Sequence, residues 1–271
     1  ALPISTVSLP LEQIYGERFT VAPVSVVVDP LRAARVLGLA AASLSEHVAY
    51  IYKKQLEEAE IVVINKCDLL DAQRLAQLRE ALAAVAPRAV IHECAAREGT
   101  GLEPWFERLL ADTSQAAAIA EIDYDEYAHG ESLLGWLNAE VRLGAADAEE
   151  YDGTALLLEI MTHIRAVLDR DGHEIAHMKG TLSVEGDPYE LAAANLVRTA
   201  DAPAVSHRLA EPVDIGRLLV NLRAEAAPED LEAAVRAALD AVAARLPCEI
   251  LHLEHFRPGR PVPTHRIAAR A

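Results

Sequence analysis

Four consecutive apolar, mostly β-branched residues, Ile61-Val62-Val63-Ile64, constrain this chain more than any other feature. An uninterrupted apolar run of strand length has no polar face to turn to water. It therefore belongs in the middle of a parallel sheet covered on both sides. Residues 24–28 (Val-Ser-Val-Val-Val) form a second such run, which stops at Asp29-Pro30. An acid followed by proline is a helix start, the carboxylate capping and the proline filling the first helical position. Residues 31–59 read as helix, 71–85 as a second helix, 89–92 as a third strand and 102–110 as a third helix. Strands alternating with helices imply a parallel α/β sheet with helices on both faces.

Past residue 112 the pattern changes. Residues 113–129 are Ala-rich and then acidic, which suits a linker. Residues 132–143 alternate like a strand, 153–169 have helical periodicity, and strand patterns follow at 174–184, 189–198 and 214–224. A helix at 228–245 opens on Ala-Pro-Glu-Asp, and Cys248–Phe256 reads as the last strand. Strand, helix, three strands, helix, strand is an α+β order close to a ferredoxin-like domain. The expected domains are thus 1–112, a linker at 113–129, and 130–271.

With 271 residues, 52% of them hydrophobic, the chain can bury two ordinary cores. Its net charge of −17 argues against nucleic acid or an anionic membrane as partner, since both need a basic footprint. Cys67, Cys94 and Cys248 form no CxxC pair and are too few for a disulfide framework. With no signal peptide and no apolar run of about 18 residues, a reducing cytoplasm is the expected location.

The chemistry sits at the end of the central run, in Asn65-Lys66-Cys67-Asp68. An aspartate there can accept two parallel hydrogen bonds from guanine N1–H and the 2-amino group, which adenine does not supply. Lys66 would lay its aliphatic stem along the base plane, and Asn65 would tie the loop to a phosphate loop. As a bare tetrapeptide the same residues could be a turn and cap before the helix at 71. One α/β unit later, Cys94-Ala95-Ala96-Arg97-Glu98-Gly99-Thr100-Gly101 forms a small-residue loop. In GTPases a small-residue loop of the Ser-Ala-Lys type offers a backbone N–H to guanine O6. Cys94, Ala95 and Ala96 resemble it and would hold that place, with Ala95 the expected donor; the alternative is a glycine-containing turn into a helix.

The chain resembles the CobW-like metal-chaperone GTPases of the P-loop class, the CobW/HypB/UreG type. The resemblance runs from Leu11-Glu12-Gln13-Ile14-Tyr15-Gly16, through Tyr52-Lys53-Lys54-Gln55-Leu56-Glu57-Glu58-Ala59-Glu60 and the motif at 65–68, to Gly135-Trp136-Leu137-Asn138. It continues with Ile175-Ala176-His177-Met178-Lys179 and Phe256-Arg257-Pro258-Gly259-Arg260-Pro261. It implies part of a P-loop GTPase sheet followed by a smaller ferredoxin-like domain. It also implies GTP with Mg²⁺ as nucleotide, zinc or cobalt as cargo, and a client metalloprotein as partner, and it leaves a homodimer open.

Family members begin with a phosphate loop, G-x-x-x-x-G-K-[ST], yet no Gly-Lys dipeptide occurs in these residues. The chain also starts at Ala1, inside a core-like segment. The expectation is an N-terminally truncated relative that keeps base recognition and neither hydrolyses GTP nor binds it tightly. Two rivals stay open: a non-enzymatic client-binding module, and a relative serving nickel centres. Metal ligands are not expected. His173 and His177 lie about 13 Å apart on an extended strand at roughly 3.3 Å per residue, Cys248 and His252 share that spacing, and His252 and His255 point to opposite faces. Asp29 could hold Mg²⁺ at a strand end, but Pro30 favours an N-cap.

Overall fold

The computed structural model describes residues 7–16, 18–40, 46–114, 134–145 and 149–259. They divide into two units, one of described residues up to 114, the other from 134 to 259.

In the first unit, the strands β1 (Ser25–Val28), β2 (Ile61–Ile64) and β3 (Val90–Glu93) form a parallel sheet with β2 in the centre. Its register sets Val28 opposite Ile64 and Ile64 opposite Glu93, so the three strands end level. All four β2 side chains are fully buried, each worth about 1.5–3 kcal/mol of transfer free energy. Strand alternation divides them between two cores. Val62 and Ile64 pack with Val28, with Ala33 of α2 (Pro30–Val36), with Leu56 of α3 (Glu46–Glu57), and with Leu78 and Leu82 of α4 (Ala72–Val85). Ile61 and Val63 pack with Cys94 and, on the opposite face, Leu102, Trp105 and Leu109 of α5 (Leu102–Ala111). Helices therefore cover both faces, as the apolar run requires. A short helix α1 (Leu9–Tyr15) precedes the sheet. Glu60 secures the entry to β2, its carboxylate accepting from Val24 N at 2.9 Å and Ser114 Oγ at 2.7 Å.

One expected element is divided. The helix read over 31–59 stops at Val36, where Leu37 closes the last turn onto Ala33 and Gly38 takes φ +75°. A positive φ suits glycine and ends an α-helix. Helix resumes as α3, with 41–45 outside the described residues. Of the expected linker at 113–129, everything from 115 on also lies outside them.

The second unit is a six-stranded antiparallel sheet in the order β7-β6-β5-β8-β4-β9. Its strands are β4 (Gly135–Gly144), β5 (Glu174–Val184), β6 (Asp187–Leu196), β7 (Ala204–His207), β8 (Ile215–Glu225) and β9 (Cys248–Phe256). Helix α6 (Gly153–Arg170) joins β4 to β5, and α7 (Pro228–Ala243) joins β8 to β9. The order β5-β8-β4-β9 with these two helices is the ferredoxin-like arrangement, extended at one edge by β6 and β7. Along β8, Leu218, Val220, Leu222 and Ala224 are buried while Arg217, Leu219, Asn221 and Arg223 are exposed. The buried set meets Leu157, Ile160, Met161 and Ile164 of α6 and Leu231, Val235 and Leu239 of α7 in one core. Strand β7 was not expected from the sequence.

Candidate nucleotide-base site

The three parallel strands deliver Asp29, the Asn65–Asp68 segment and the Cys94–Gly101 loop to one end of the sheet. Backbone bonds continue past the strands and lock these loops together. Asn65 N–H donates to Val28 O at 3.1 Å, Cys94 N–H to Ile64 O at 2.9 Å, and Cys67 N–H to Cys94 O at 3.1 Å.

Asn65 is the hub. Its Oδ1 accepts from Lys66 N–H at 2.8 Å, from Ala96 N–H at 3.0 Å and from the Cys94 thiol at 3.5 Å. Its Nδ2 has no partner among the described residues. Lys66 follows at φ +59°, the left-handed region, and no other non-glycine described residue has a positive φ. Such a conformation is uncommon for a lysine and here is held by the Asn65 carbonyl. The ammonium of Lys66 reaches across to Asp29 Oδ2 at 3.0 Å.

Asp68 lies in a short 3-10 turn, Cys67–Leu69, and is exposed. No described residue bonds or pairs with its carboxylate, so both acceptors are open. Asp71, not Asp68, caps α4, accepting from Arg74 N–H at 2.8 Å. The rival reading of the tetrapeptide, a cap for that helix, thus places the capping carboxylate three residues too early.

In the neighbouring loop Ala95 N–H bonds Thr100 O at 3.0 Å, and Thr100 N–H returns to Ala95 O at 3.2 Å. The amide expected to meet guanine O6 is therefore committed within its own loop. The one that reaches the Asn65 side chain belongs to Ala96. Gly99 and Gly101 take φ of +71° and +73° to fold this loop back. A Cβ on Gly101 would stand 2.1 Å from Glu93 O, so only glycine fits.

Cys67 and Cys94 hold their thiols above the ordinary range. Burial is the main cause for both; Asp68 and Glu93 add to it at Cys67, and Cys67 at Cys94. They remain protonated thiols near neutral pH, not reactive thiolates. Glu93 is paired with Arg79 at 2.8 Å. The carboxylate of Asp29 accepts from Leu31 N–H at 3.0 Å and Arg32 N–H at 3.1 Å, as the cap of α2. Sequence reasoning foresaw that cap but missed the Lys66 contact. The signal lay in the parallel pairing of β1 with β2, which sets Asp29 beside Asn65.

The histidines of the second unit do not gather. His255 bonds Glu232 at 2.9 Å, and His173 lies 3.5 Å from Asp230. No group of three or more His, Cys, Asp or Glu suited to a metal occurs among the described residues.

Residues 1–93 match the family model described as CobW/HypB/UreG, nucleotide-binding domain. No curated protein sequence matches the chain. Among solved structures it is similar to the Zn(II)-bound YjiA GTPase from E. coli, at 15% identity and a TM-score of 0.28 over 87% of this chain. A Zn(II)-bound triple mutant of YjiA GTPase gives 14% identity, a TM-score of 0.29 and 87% of this chain. The chain spans 65% of the length of either. Residues 1–93, about a third of this chain, thus carry sequence similar to a CobW/HypB/UreG nucleotide-binding domain.

Proposed function

We propose that this chain carries the base-reading half of a CobW-type GTP site. Asp68 selects guanine through N1–H and the 2-amino group, and Lys66 lines the base plane. Asn65 braces the pocket with Cys94, Ala95 and Ala96 of the neighbouring loop. The observation that carries this reading is the open carboxylate of Asp68, two residues beyond a left-handed lysine that is anchored by Asn65 to Ala96 N–H.

Phosphate chemistry needs more than this. Neither a Gly-Lys dipeptide nor any other part of a phosphate loop occurs in the sequence. Asp29, the strand-end acid, already serves α2 and Lys66, so these residues do not fit Mg²⁺ and a triphosphate. In the whole protein, GTP hydrolysis with Mg²⁺ would drive delivery of zinc or cobalt to a client metalloprotein. The family match over residues 1–93 supports the nucleotide part of that reading, and the second unit would then face the client.

A titration of the chain with guanosine and adenosine, followed by NMR, tests the base-reading claim. Guanosine should bind in the millimolar range and adenosine at least about 10-fold more weakly, the worth of hydrogen bonds to a charged acceptor. GTP should bind little better than guanosine and should not turn over. Equal binding of the two nucleosides would refute base selection, and micromolar GTP affinity would refute the half-site.

A further inference from the structure

We propose that Asp29 is the positioning residue for Lys66, one carboxylate serving both the start of α2 and the guanine loop. The inference rests on the base-site reading and adds to it a residue outside the motif. The two oxygens divide the work. Oδ1 takes the amides of Leu31 and Arg32, while Oδ2 takes the Lys66 ammonium at 3.0 Å, across 37 residues of sequence. Pro30 has no N–H to compete for either oxygen. The Asp29 side chain is only 19% exposed against 46% for Lys66, so the acid is the fixed end and the lysine the tethered one.

Lys66 is consequently held at both ends. Its backbone is fixed left-handed by Asn65 Oδ1, and its ammonium is fixed by Asp29. A free lysine would surrender rotamer freedom on packing its stem against a base; here most of that freedom is gone before the base arrives. Stacking on an aliphatic stem does not depend on which purine is bound. The tether should therefore raise affinity for guanosine and adenosine alike and leave their ratio to Asp68.

Asp29→Asn separates the two duties, because asparagine caps a helix as well as aspartate does but carries no charge for Lys66. In the chain as it stands, Asp29→Asn should keep the unfolding midpoint and weaken both nucleosides by the same factor, about 3- to 10-fold. In a Lys66→Met background, which retains an apolar stem, Asp29→Asn should have no further effect. Acetylation of Lys66 by an N-hydroxysuccinimide ester, read by mass spectrometry without nucleoside, should be faster in Asp29→Asn than in wild type. Unchanged acetylation would overturn the tether. So would an Asp29→Asn effect that persists in Lys66→Met, or one that alters the guanosine-to-adenosine ratio. Loss of guanine preference in the wild type would instead overturn the base-site reading while faster acetylation still supported the tether.

Discussion

His92 stands on β3 opposite Val63, with its Nε2 buried and without a hydrogen-bond partner among the described residues. Burial, and then the cations of Arg108 and Arg79, hold its pKa below the ordinary histidine value. The folded chain thus resists a proton that the unfolded chain accepts near pH 6.5. Unfolding binds protons as pH drops, so stability is full above that pH and declines as pH falls through the unfolded and then the folded value. Urea midpoints at pH 7.5 and 5.5 should show a larger acid loss in wild type than in His92→Gln. Equal losses would show that His92 is not responsible. At this scale the sequence was legible wherever chemistry is local. Asn65, Lys66 and Asp68 are candidates by their spacing alone, and their role in reading a base is the proposal that the titrations test. The choice between the Ala95 and Ala96 amides depends on the Ala95–Thr100 pairing, and the Asp29–Lys66 contact on two strands meeting; neither is written in adjacent residues.

Among the elements, the Cys94–Gly101 loop depends most on one residue. Gly101 precedes α5 at φ +73°, and the carbonyl of Glu93 occupies the space any Cβ would need. That obstacle is backbone, so nothing nearby can rotate aside. Gly101→Ala should cost about 1–3 kcal/mol, from the positive φ and the enforced loop shift together. The mutant should also disturb the amide resonances of Cys94, Ala95 and Ala96; a chain with an unchanged midpoint and unchanged resonances would contradict the loop geometry. Elements with strong periodicity or clear caps were readable in advance, including β2, α4, α6, α7 and β9. The break between α2 and α3 was signalled by Gly38 yet lost within a long helical composition. Strand β7 has four residues and, among the described residues, pairs only with β6, so its existence rests on a neighbour more than on its own pattern.

For the whole molecule, the parallel sheet and the ferredoxin-like sheet were both legible because each buries a distinct apolar period. The parallel sheet shows a continuous run, and the antiparallel one shows alternation. The proposed division of labour within the candidate site rests on what its residues can bond. The decisive measurement uses the acceptor pattern of Asp68 itself. Guanine presents two donors to a carboxylate, whereas xanthine presents one donor and one carbonyl acceptor, the complement of an asparagine amide. In an NMR titration, wild-type chain should prefer guanosine to xanthosine, and Asp68→Asn should reverse that order. The same guanosine preference in both proteins, or none in either, would contradict the assignment of Asp68 as the base-reading residue.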